Sequence, residues 1–162
     1  MRLELKALAT TFITAFIVTL LLSQRHMGFA VAFEVMILLP WLAWSAWIMA
    51  TQRARRRVQA AKSLIWVASV ALIVGIHAWR AHQTREDAQR VVDAVLAYRA
   101  AHGAYPQSTE AIGYTKDQLK SMIGFGGYFV ESGKPFFFYA STYVPFETEH
   151  YDFETHTWKH LD

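Results

Sequence analysis

Residues 80–106 read RAHQTREDAQRVVDAVLAYRAAHGAYP, and their periodicity decides how the chain is divided. Ala88, Val91, Val92, Val95, Leu96 and Tyr98 recur at steps of three and four, with Arg90, Asp93 and Arg99 between them. That spacing predicts an amphipathic helix with one face against a core and one face in water. Gly103 supplies a stop, and Tyr105-Pro106 sets an extended turn after it. No glycine or proline lies between Gly75 and Gly103. The helix is therefore expected to continue upstream into the apolar run Ser63 to Trp79, as a rod of about 40 residues.

That run is the last of three. The others are Ala7 to Ser23 and Met27 to Ala50, and a helix needs roughly 17–25 apolar residues to cross the hydrocarbon core. All three are read as transmembrane helices. The first is retained and not a signal peptide, because Ser-Gln-Arg-His follows it with no small-x-small cleavage site. Charge sets the orientation. Before Arg80 there are eight Lys/Arg against Glu4 and Glu34; from Arg80 onward there are eight Lys/Arg against eleven Asp/Glu. The segment TQRARRRVQAAK at 51–62 carries five basic residues and no acid, which predicts a cytoplasmic loop. The N-terminus is then cytoplasmic and everything after Trp79 lies outside, in the periplasm of a bacterial inner-membrane protein. The domains expected are 1–62, two spans and the basic loop, and 63–162, a third span continuing into an extracytoplasmic head.

Residues 25–34, RHMGFAVAFE, resemble a prepilin peptidase site, but Glu34 is sixth after the glycine where the pattern has it fifth. Gly28 also falls on the outer side, away from a cytoplasmic peptidase, so processing here is not expected. Glu34 is a carboxyl about two turns into a span, where charge is costly. It is expected either protonated or hydrogen-bonded to Thr, Ser or Trp on a neighbouring span, or facing a partner in the membrane. Pro40 is expected to kink the same helix, with Trp41, Trp44 and Trp47 toward its cytoplasmic end.

Downstream, a short helix is expected at about 115–123, followed by strand-like runs at 127–131, 135–141 and 150–160. In the last, Tyr151 and Phe153 precede a Glu-Thr-His-Thr turn and Trp158, the pattern of an antiparallel hairpin. The head is α+β, a long helix packed on an antiparallel sheet. The stretch VVDAVLAYRAAHGAYPQSTEAI, with its Tyr-Pro turn, and the closing YDFETHTWKHLD resemble the periplasmic heads of type II secretion pseudopilins and, more loosely, type IV pilins, over about residues 64–162. The resemblance implies a pilin-like head, here held permanently in the membrane by two further spans.

Catalytic and metal chemistry find little footing. There is no cysteine, which excludes thiolate catalysis and Cys-ligated metal. His150, His156 and His160 lie near Glu149, Asp152 and Glu154, and in strand geometry their even positions share a face, so that two of them could converge across the hairpin. There is, however, no helix-borne HExxH spacing and no cysteine partner, and an exposed cluster without metal is expected. His77 and His82 are expected at the outer membrane boundary. Ser108, Ser121, Ser132 and Ser141 lack a nucleophile elbow, and the Gly124–Gly127 stretch GFGG lacks the lysine of a phosphate loop. No enzyme, cofactor or metal is expected. One basic loop between apolar spans is no nucleic-acid footprint.

Aromatic residues crowd the head between 125 and 146. A domain this small leaves much of its surface uncovered, so Phe125, Tyr128, Phe129, Tyr143 and Phe146, together with Glu34, are the candidate interaction residues. Two functions fit besides contact with membrane lipid. One is a non-enzymatic protein whose head binds another envelope protein, as an accessory of a secretion or pilus system. The other is an immunity protein that neutralises a toxin acting in the periplasm.

Overall fold

The computed structural model describes residues 2–142, 144 and 147–161. The chain forms two compact units, Met1–Ala78 and Trp79–Asp162. Helices α1 (Arg2–Leu22) and α2 (Ala30–Thr51) belong to the first, and α3 (Arg56–His102) supplies residues to both without a break. All three are long and apolar enough to cross a membrane.

The first unit shows its apolar side chains outward. Phe12, Ile37 and Leu64 are all 60% exposed or more, as befits helices whose solvent is lipid. Lipid tails are as apolar as leucine, so such helices associate through close packing and interhelical hydrogen bonds. The α1–α3 seam does both. Ala15 meets Ser69, which is also buried, and Thr19 Oγ1 lies 2.7 Å from Ser69 Oγ. One turn on, Ile73 is fully buried, and a further turn brings His77, whose Nε2 is 2.8 Å from the Leu22 carbonyl. His77 thus packs against α1 and does not face outward. It is completely buried and satisfies a carbonyl that the end of α1 would otherwise leave open. At the opposite end, Gln59 Nε2 donates to Ser45 Oγ at 2.6 Å and Arg56 Nε to the Met49 carbonyl at 2.8 Å. A single 3-10 turn at Arg53–Arg55 joins α2 to α3. Pro40 lies inside α2 without ending it.

In the second unit, Ala88, Val91, Val92 and Val95 of α3 are fully buried, as the periodicity of 80–106 requires. Tyr98 departs from that expectation. It stands outside the core and stacks on His102, ring centroids 4.0 Å apart. After a 3-10 turn (Thr109–Ile112) comes α4 (Lys116–Ile123). Its start is a reciprocal capping box: Thr115 Oγ1 accepts from the Gln118 N–H and Gln118 Oε1 from the Thr115 N–H, satisfying two donors the first turn leaves open.

Four strands follow: β1 (Gly126–Glu131), β2 (Lys134–Ala140), β3 (Thr148–Asp152) and β4 (Thr157–Leu161). They form one antiparallel sheet in chain order, and the expected closing hairpin is β3–β4. Its turn is held by Asp152, whose carboxylate accepts from the backbone N–H of Glu154 and Thr155 and pairs with Lys159. The Lys159 bond, then the two backbone donors, hold that carboxyl well below the usual carboxylate range. Side chains alternate across a strand. Phe137, Tyr139 and Tyr151 therefore face α3 and form its core with Ile123, Leu119 and Phe153. Trp158 closes this face: Nε1 donates to Gln89 Oε1 at 2.8 Å, and the Arg85 guanidinium lies 4.4 Å above its ring.

Candidate interaction surface

The same alternation that buries Phe137 and Tyr139 turns Phe136 and Phe138 to the other side of the sheet. Register then places Phe129 beside Phe136, and His150 beside Phe138. The rings touch in series. Phe129 and Phe136 are 5.1 Å apart, Phe136 and Phe138 5.9 Å, and Phe136 stacks on His150 at 5.9 Å with an interplanar angle of 12°. Phe125, just before β1, packs edge-on against Phe138 at 6.3 Å. Phe125 is 70% and Phe129 44% exposed. An aromatic strip thus covers the face of the sheet turned away from α3.

The strip runs into a cleft of about 620 Å³, where the β1–β2 and β3–β4 turns come together. Phe136 and His150 belong to both features. Charges of each sign rim the cleft: Arg99 and Lys134 against Asp152 and Glu154. Arg99 is braced by Tyr105, donating to its hydroxyl at 2.5 Å and covering its ring. Lys134 and Glu154 are exposed partners 3.3 Å apart. Such a pair contributes little to stability and is open to exchange for an incoming charge. An apolar centre with a polar rim is the anatomy of a protein-binding surface.

Of the residues expected to interact, Phe125 and Phe129 lie on this strip. Tyr128 does not. It sits opposite Phe137 on the helix side, where its hydroxyl donates to the Pro106 carbonyl at 2.8 Å. Desolvation, with a smaller contribution from Tyr105, pushes its phenol up to about 12. Tyr143 and Phe146 lie outside the described residues. Phe136 and Phe138 were missed because the run KPFFFYA shows no alternation of polarity, and His150 because its place beside Phe138 depends on the β2–β3 register. Numbering the residues of that run odd and even would have separated the two faces.

The three C-terminal histidines do not converge. Glu149 pairs with His160, so His160 faces the helix side while His150 faces the other, and His156 sits in the turn with φ of 54°. His160 Nδ1 lies 3.0 Å from Glu149. Among the described residues no group of three His, Asp or Glu is arranged to hold a metal ion.

Glu34 is in the first unit, in a cavity of about 500 Å³ lined by Val18 and Leu22 of α1, by α2 from Ala30 to Trp41, and by Trp66 of α3. Its two carboxyl oxygens are buried and meet no hydrogen-bond partner among the described residues. The Thr, Ser and Trp side chains expected to satisfy it do not. The hydroxyls of Thr19 and Ser69 are bonded to each other and do not line this cavity.

No protein-family model matches the chain, and no curated protein or solved structure matches it.

Proposed function

We propose that this is a non-enzymatic protein of a bacterial inner membrane that presents the unit Trp79–Asp162 in the periplasm as a docking module for another envelope protein. The observation that carries this reading is the aromatic strip from Phe125 to His150 and the charged cleft it enters. Soluble surfaces rarely expose contiguous apolar patches without a use for them, and aromatic anchors beside paired charges are what protein partners bind. The orientation rests on the five basic residues between α2 and the apolar part of α3.

A long helix followed by an antiparallel meander is also the layout that the likeness to pseudopilin heads implies. The preferred partner is therefore a component of a secretion or pilus system, contacted by a head that stays anchored. Capture of partners from membranes after chemical crosslinking of the full-length chain tests this. Secretion or pilus components are expected with the native protein, and at least tenfold less of them with a Phe125→Asp/Phe129→Asp double variant, since burying a carboxylate in an apolar contact is strongly unfavourable. Recovery of a single secreted toxin would move the assignment to an immunity protein. Equal recovery with the double variant would remove the strip from the contact.

A further inference from the structure

We propose that the cavity around Glu34 holds one acyl chain of a phospholipid whose head group is a primary ammonium, with the Glu34 carboxyl accepting that ammonium's hydrogen bonds. The inference concerns the unit Met1–Ala78 and goes beyond the docking reading; it rests only on α1, α2 and α3 being membrane-embedded.

Three observations carry it. First, the lining is apolar apart from Glu34, with Phe33, Ile37, Trp41 and Trp66 among its side chains. That suits a hydrocarbon chain better than any polar solute. Second, the cavity follows α2 only from Ala30 to Trp41, a rise of about 16 Å. This is roughly half of a hydrocarbon core about 30 Å thick. A partner helix would need a seam across the whole membrane, whereas one chain of a single leaflet needs half. Third, Glu34 lies only four residues from the start of α2, about 6 Å along the helix, within reach of a head group. Two buried acceptors without donors are costly; protonation removes the charge but leaves the oxygens unmet, and a ligand that brings N–H or O–H groups relieves both. An ammonium does so with charge assistance.

Phosphatidylethanolamine and phosphatidylcholine with the same acyl chains separate this from simple greasiness. Both are zwitterions with one phosphate, but the first has three N–H donors and the second has none. The full-length protein in detergent micelles, offered both lipids in equal amounts, is examined by native mass spectrometry. The ethanolamine lipid is expected to be retained over the choline lipid by roughly tenfold, the factor a hydrogen bond to a charged group carries. Glu34→Ala should bring the ratio close to one. Val18→Trp, which fills the cavity from α1 and leaves Glu34 in place, should lose both lipids. Parity in the native protein overturns the proposal, and so does a preference that survives Glu34→Ala. A lipid-free dimer that Glu34→Ala dissolves would overturn it too, by making the cavity a seam between copies. The native ratio alone decides the matter should either variant fail to fold.

Discussion

Replacing Phe137 by alanine is expected to unfold much of the unit Trp79–Asp162 at growth temperature. Phe137 is fully buried and sits at the centre of the sheet, paired with Tyr128 on one side and Tyr151 on the other. Its ring meets Trp158 edge-on at 6.0 Å, and the core it fills is closed by the valines of α3. Removing a ring from such a site forfeits its transfer free energy and leaves a cavity, about 3–5 kcal/mol together. Whole domains are stable by only about 5–15 kcal/mol. The corresponding fall in Tm is about 15–30 °C for a unit of this size, read by near-UV circular dichroism of the full-length protein in detergent. Phe136→Ala is the control. One residue away but on the exposed face, it should cost under about 1.5 kcal/mol, because it opens no internal cavity. Equal losses at the two positions would mean that the faces of β2 are assigned the wrong way round.

Gly126→Ala should be the next most damaging change. A Cβ at this position would lie 2.8 Å from the Tyr139 Cα and 2.9 Å from Ile123 Cδ1, and closer still to the Phe138 carbonyl oxygen. Two of these three are backbone atoms of β2, which cannot step aside as a side-chain tip can. Strand β1 must lift from its neighbour or α4 must shift, and overpacking of this kind costs about 1–3 kcal/mol. Gly127, the next residue, has nothing within 4 Å of such a Cβ. Gly127→Ala should be neutral or raise stability by up to about 1 kcal/mol, through the lower entropy of the unfolded chain. Thermal melts of the pair check both expectations, and a Gly126→Ala protein as stable as the parent would contradict the close approach of β1 and β2.

How much of this was legible beforehand depended on whether one rule or two controlled each residue. The helix over 80–106 follows from a single period, and Ala88, Val91, Val92 and Val95 fall where that period puts them. The spans follow from run length, and the closing hairpin from a polar turn between aromatic residues. Tyr98 obeys the same period yet stands outside the core, with its ring stacked on His102. The burial of His77 against α1 was not legible, because linear position says how deep a residue lies but not which face it occupies. Four residues after Ile73 and eight after Ser69, it continues the stripe that packs on α1. The aromatic strip was only half visible. Phe125 and Phe129 stood out as single residues, but their union with Phe136, Phe138 and His150 needs the β1–β2 and β2–β3 registers, which no local pattern specifies. Glu34 was visible as an anomaly. That its oxygens meet only apolar walls is a property of three helices together.

The sheet face bearing Phe129 is the proposed contact with a partner. Its most direct test is site-specific photocrosslinking in living cells, with a photoreactive phenylalanine analogue placed at position 129 in one strain and at exposed Ala97 of α3 in another. A discrete crosslinked species from position 129, and none from position 97, is the expected result. Crosslinks from position 97 alone would put the contact on the helix side and contradict the account.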